Sequence, residues 1–207
     1  MNDLVFVNAK KEAVTSHVVI SEGMEVTQDS SLKLIKQYKA DLEEFGRVRF
    51  QIVPFETPGG IQKRKEYLLN RDQAIFLITL MRNNPKTVEF KKQLVKQFTS
   101  MERWIHERAQ ASIEAQLMCE TLREVRQLAG QLTEGFHYAN EHKLINFAMT
   151  GAYTAMDRRG LDAVSLKVLT ALEMRNAVLI GAGIDRDTRR QALLNLCQEL
   201  KALSELA

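Results

Sequence analysis

The sequence predicts an α+β chain that is mostly helical, with an N-terminal winged helix-turn-helix-like domain, a long connecting helix and a C-terminal helical module. Three observations carry that prediction. Residues 16–52 read as helix, glycine turn, helix and strand. A long amphipathic helical pattern opens after Pro85. The last seventy residues are helical in pattern and are broken only at Gly151, Gly160 and the Gly-Ala-Gly of 181–183.

The elements follow in order. Residues 3–8 are apolar and β-branched enough for a short leading strand. Val18, Val19 and Ile20 lead to Gly23, where a positive φ is expected between two helices. Thr27 or Asp29 is positioned to cap the second helix, along which Leu32, Ile35, Tyr38 and Leu42 form one apolar stripe. Gln28, Ser31, Lys33, Lys36 and Lys39 make its opposite, exposed face. Gly46 ends it. Residues 48–55 then alternate Val48, Phe50 and Ile52 against Arg49, Gln51 and Val53, the two-residue period of a half-buried strand. A turn-rich stretch holding Pro58, Gly59 and Gly60 leads to a returning strand at 66–70, so that a β-wing carries Lys63, Arg64 and Lys65.

Asn70 or Asp72 caps a nearly all-apolar helix, and Asn83, Asn84 and Pro85 break the chain after it. In the long helix, Leu94, Phe98, Met101 and Ile105 recur at steps of four, three and four, a seam that seals the first domain. Ile113, Leu117, Leu122, Val125 and Leu128 continue it more loosely. Leu94, Phe98, Met101, Ile105, Ile113 and Leu117 are therefore the oligomerisation candidates. Asp185 is placed to cap the final helix. The expected boundaries are a first domain at 1–108, a helical linker or oligomerisation segment at 109–135 and a helical module at 136–207.

A chain of 207 residues with 45% hydrophobic content has ample material for a core. Residues 1–108 hold 18 of the 29 basic residues and 14 of the 26 acidic ones, leaving 11 against 12 beyond, a mild asymmetry that points only weakly to a nucleic-acid partner. Cys119 and Cys197 are isolated and read as reduced thiols. Neither a signal peptide nor an apolar run of membrane-spanning length is visible, so the expectation is a soluble, cytoplasmic protein.

The sequence nominates no chemistry. His137 and His142 stand five apart, not the three or four that puts two ligands on one helical face. Hydrolase, zinc-protease, phosphate-loop and dinucleotide motifs are missing, and Gly181 to Asp185 reads as an inter-helix turn. Asp41, Glu43 and Glu44 read as a charged surface or partner face. A non-enzyme without metal or cofactor is expected. Residues 28–44 sum to −1, which suits protein binding as well as DNA binding.

With these elements in place, the chain resembles the Rha family of phage regulatory proteins, a group that overlaps phage antirepressors. The resemblance rests on three blocks: Ser21 to Val26, Leu32 to Ile52, and Lys65 to Arg103. Asn70, Gln73 and Ala74 leading into Thr79 to Asn83, then Val88, Phe90, Lys91 and Val95, resemble the family's signature helix pair. Where the family usually has His followed by Lys or Arg at the start of the second helix, Asp29 and Ser30 stand here. The resemblance implies a bacterial host cytoplasm and a homo-oligomer that binds a phage repressor protein and keeps it off its operator, promoting the lytic switch. The alternative it implies is a winged-helix regulator reading DNA, with Gln28, Ser30, Ser31 and Lys33 near base edges and Lys36, Lys63, Arg64 and Lys65 on phosphates.

Overall fold

A computed structural model describes residues 3–57, 60–158 and 160–205. The fold is mostly helical with one small antiparallel sheet and one long helix, and it divides into two compact units, Met1–Ile105 and His106–Ala207. Among the described residues no helix is long and apolar enough to cross a membrane.

The first unit runs β1 (Phe6–Val7), β2 (Ala13–Ser16), α1 (His17–Gly23), α2 (Gln28–Gln37), α3 (Lys39–Glu44), β3 (Arg49–Thr57), β4 (Gly60–Leu69) and α4 (Arg71–Thr79), followed by the first part of α5 (Pro85–Leu128). The sheet order is β1-β2-β4-β3, antiparallel throughout. Ser16 ends β2 and caps α1, its hydroxyl accepting from the Val19 N–H at 3.2 Å. His17 is buried, and its Nδ1 accepts the Tyr67 N–H at 3.1 Å, tying α1 to β4; burial holds the ring below its ordinary pKa and so neutral. The Ser21 and Ser31 hydroxyls share a buried hydrogen bond at 2.7 Å between α1 and α2.

Two expectations about this helix pair are corrected. Gly23 does not turn the chain with a positive φ; Glu25 does, at 54°. Gly23 is small because a Cβ there would lie 2.1 Å from the Phe90 ring, so the glycine makes room for α5. The second helix also divides at Tyr38, whose φ and ψ of −104° and 30° close α2 and open α3. Thr27 caps α2, its hydroxyl accepting from the Ser30 N–H at 3.2 Å.

Asn70 and Gln73 make the clasp between α3 and α4. Asn70 and Gln73 form a reciprocal capping box. The Asn70 side chain donates to the Phe45 carbonyl at 2.8 Å, and the buried Gln73 amide donates to the carbonyls of Leu42 and Gly46 at 3.1 and 2.6 Å. Lys91 then closes the far end of α4, donating to the Ile78 carbonyl at 2.6 Å and to Asn83 at 2.7 Å. Pro85 occupies the first position of α5, where its missing N–H costs nothing, and Asn84 and Thr87 exchange side-chain and backbone bonds around it. The core beneath is Ile20, Ile35, Leu42, Leu69, Leu77, Leu94 and Phe98, with Met101 and Ile105 packed at its margin.

The second unit holds the rest of α5, then α6 (Gly135–Thr150), α7 (Ala163–Gly181) and α8 (Arg186–Glu205). Gly151 closes α6 in the left-handed conformation at φ 79°. Asp162 caps α7, and Asp185 caps α8 through the N–H groups of Asp187 and Thr188. Residues 181–185 are the expected inter-helix turn. Met118, Leu144, Ile145, Leu166, Leu169, Leu172 and Leu193 are buried. A polar network lies among them. Arg189 grips Glu141 with two bonds, 2.6 and 3.0 Å, and Asn176 joins both at 2.7 and 2.8 Å, linking α6, α7 and α8.

Candidate functional site

The exposed features of the first unit are α2 and the β3–β4 hairpin. The strands pair from Arg49↔Leu68 out to Thr57↔Gly60, so the returning strand is longer than the sequence predicts and Lys63, Arg64 and Lys65 lie within β4. The expected loop residues Pro58 and Gly59 lie outside the described residues. Strand alternation sends the three cations to different faces. Arg64 faces α2, donating to the Gln28 side chain at 2.9 Å and lying 5.3 Å from the centre of the Phe55 ring. Lys63 and Lys65 are exposed, with the Lys65 ammonium 4.6 Å above the Phe50 ring.

The expected inward face of β3 is corrected. Val48 is buried, but Phe50 is 47% and Ile52 60% exposed, and Ile61 from β4 is 75% exposed. Beyond Val48 the alternation sorts side chains onto two faces, one of which meets α2 through Arg64 while the other carries Phe50 and Ile52 into solvent. The result is a surface on which Phe50, Ile52 and Ile61 stand beside Lys63 and Lys65. The sequence places Phe50 and Ile52 on a half-buried strand and leaves Ile61 in a turn, because a half-buried strand and a projecting ribbon share one two-residue period.

Of the eight residues proposed for DNA contact, Lys33, Lys36, Lys63 and Lys65 are exposed lysines, Lys65 lying over the Phe50 ring. Ser31 is fully buried against Ser21, which removes it from the exposed face. Ser30 bonds the Thr27 cap at 2.8 Å, and Gln28 and Arg64 bond each other. Asp29 is exposed at the same helix start. Asp41, Glu43 and Glu44 are exposed on α3, with Glu43 3.7 Å from Lys39.

The six oligomerisation candidates separate. Leu94 and Phe98 are fully buried within the core of the first unit, and Met101 and Ile105 pack against that core. Ile113 and Leu117, 57% and 47% exposed, keep apolar surface open to solvent.

In the second unit Cys119, His142 and Glu173 converge, an arrangement that invites comparison with a thiol nucleophile and its base. The geometry gives it no activation. Arg158 approaches His142 Nδ1 at 3.3 Å and can only donate, so the ring proton sits on Nε2 and points at the Cys119 sulfur 3.7 Å away. Burial, then Arg158, keep His142 neutral, while burial and Glu173 hold the Cys119 thiol protonated. Glu173 is wholly buried and burial raises its pKa to about 7 despite Arg158 at 2.7 Å. With His142 neutral, its 3.9 Å approach to Glu173 is not an ion pair. His137 accepts the Glu134 N–H at the start of α6. Among the described residues no group of three His, Cys, Asp or Glu is placed to hold a metal ion.

No curated protein matches the chain. The model of the family described as phage regulatory protein Rha matches residues 15–103, from the last residues of β2 through the capped helices and hairpin into α5. Over residues 15–103, a little under half of its length, the chain is similar to the phage regulatory protein Rha family.

Proposed function

We propose that this protein is a non-enzymatic phage antirepressor, which binds a repressor protein and keeps it from its operator, promoting prophage induction. The similarity of residues 15–103 to the phage regulatory protein Rha family supports a phage regulatory role. The observation that carries the finer reading is the hairpin face, where Phe50, Ile52 and Ile61 are open to solvent with Lys63 and Lys65 beside them. Apolar side chains flanked by amines suit a protein surface bearing apolar and acidic groups; phosphates give apolar side chains nothing to bury. In this reading α1, α2 and the hairpin form a winged-helix scaffold turned to gripping another regulator. Binding shifts repressor off DNA to the extent that its DNA-competent state binds the antirepressor less well. Ile113 and Leu117 are the positions through which copies of the chain associate.

The second reading is direct DNA binding by the same scaffold, favoured by the four exposed lysines of α2 and the hairpin. Internal bonding of Gln28, Ser31 and Arg64 and the exposed carboxylate of Asp29 weigh against it. A gel shift separates the two. Under antirepression the purified protein leaves operator DNA unshifted but releases a phage repressor from it. A salt-sensitive shift by the protein alone, without effect on any repressor complex, refutes antirepression.

A further inference from the structure

A cavity of about 400 Å³ opens on the second unit, lined by Lys143 from α6, Tyr153 from the segment after it, and Arg186, Asp187 and Arg190 from α8. The unit as a whole is close to neutral, with 12 basic against 13 acidic residues in 106–207, so three cations in one cavity are a local concentration. Among the described residues none of the three is in a salt bridge; the neighbouring Arg189 is fully used by Glu141 and Asn176. Arg190 has the Tyr153 side chain and the Asp187 carboxylate beside it, but three cations against one carboxylate still repel, and an anion relieves that repulsion. Asp187 offsets one charge and leaves a net surplus of two. Arg186 and Arg190 are one helical turn apart on one face, an arrangement that presents two guanidinium forks to the same group.

The cavity also has an aromatic wall. Tyr153 stacks on Phe147 with ring centres 4.3 Å apart and planes 11° apart, and Arg190 lies 5.9 Å from the Phe147 centre. One face of Tyr153 is thus held rigidly, and the residue is 41% exposed where it lines the cavity. A flat ring fixed from behind, beside guanidinium groups that keep a net positive charge, matches a ligand with a planar base and a phosphate. The volume lies in the range of about 300–1,000 Å³ common for small-ligand sites.

We propose that this cavity is a nucleotide site, in which Lys143, Arg186 and Arg190 hold the phosphate and Tyr153 stacks on the base, the nucleotide being either free or an unpaired residue of a single strand. The test titrates the full chain, and its Arg186→Gln/Arg190→Gln variant, with inorganic pyrophosphate, adenosine monophosphate and a fluorescent oligothymidylate. Both arginines are exposed, so the variant is expected to keep its circular dichroism and melting temperature; Lys143→Gln, from a different helix, is the second variant. Binding of the mononucleotide or the strand should weaken at least about tenfold in the double variant, and the slope of log affinity against log salt for the strand should fall by about 1 to 2. Tyr153→Leu should weaken both base-bearing ligands and leave pyrophosphate unaffected. A strand bound more tightly than the mononucleotide assigns the site to single strands, and the reverse assigns it to free nucleotide. Equal binding by wild type and both cation variants, binding of pyrophosphate alone, or no binding by any of them overturns the proposal.

Discussion

Arg189→Met should be among the most damaging single changes in the second unit. Glu141 and Arg189 are each 7% exposed, and among the described residues Arg189 supplies two of the three hydrogen bonds that reach the Glu141 carboxylate, at 2.6 and 3.0 Å. Removing it leaves a buried carboxylate with only the Asn176 amide at 2.8 Å and strips the Asn176 carbonyl of its partner at 2.7 Å. Breaking a buried pair from one side costs about 3–5 kcal/mol, because the remaining charge stays desolvated. Desolvation is the largest influence on Glu141, and it is outweighed by Arg189 and Asn176, which together hold the carboxyl below its ordinary pKa. Without Arg189, burial prevails and the carboxyl takes up a proton more readily, so the deficit should shrink as pH falls. Glu141→Gln/Arg189→Met restores neutrality, and the new amide can exchange two hydrogen bonds with Asn176; it should recover at least half the loss. Urea unfolding followed by far-UV circular dichroism measures both variants, and fluorescence of Trp104, which belongs to the first unit, follows that unit separately. A single variant that costs less than about 1 kcal/mol, or a double variant no more stable than the single, refutes this reasoning.

Three further outcomes are expected. Gly23→Ala places a methyl 2.1 Å from the Phe90 ring and should destabilise the first unit by about 1–3 kcal/mol, whereas Gly23→Ala/Phe90→Leu should relieve the overlap; equal Trp104 unfolding midpoints for wild type and Gly23→Ala would sink the steric account. Glu173 has a folded pKa raised from 4.5 to about 7, so its stabilising share is fully present below pH 4.5 and is lost as pH rises through about 7. His142, held below 6.5, and the similarly depressed His17 pull the opposite way across that window, so the readout is the difference between wild type and Glu173→Gln: the variant should lose less stability as pH rises, and parallel pH profiles contradict the assignment. Ile52→Asp/Ile61→Asp alters only exposed positions of the hairpin; it should keep the circular dichroism of the wild type while abolishing release of repressor from operator, and undiminished release would exclude this face as the grip.

Local signals in the sequence located most of the helix ends. Thr27, Asn70 and Asp185 are cap residues by their chemistry, and Pro85 opens a helix because its fixed φ and missing N–H suit the first turn. The step of four and three residues through Leu94, Phe98 and Met101 marks a helix face whatever covers it. What covers a face is a different question. Phe50 and Ile52 carry the same alternation as a buried strand, yet they are exposed because α2 meets the opposite face of the hairpin, through Arg64. Ser31 looks like an exposed polar residue but lies against Ser21. The cluster of Lys143, Arg186 and Arg190 spans more than forty residues of sequence, and no spacing rule joins α6 to α8.

The sequence by itself determined the helical composition, several of the caps and the similarity of residues 15–103 to the phage regulatory protein Rha family, since each depends on neighbours within a few positions or on a continuous pattern. Only the tertiary structure decided why Gly23 must be glycine, that Leu94 and Phe98 belong to the core while Ile113 and Leu117 stay exposed, and that Arg189 has a buried partner while Arg190 is left facing a cavity. Those outcomes depend on which surfaces meet, and adjacent residues on one helix point to environments that only packing distinguishes.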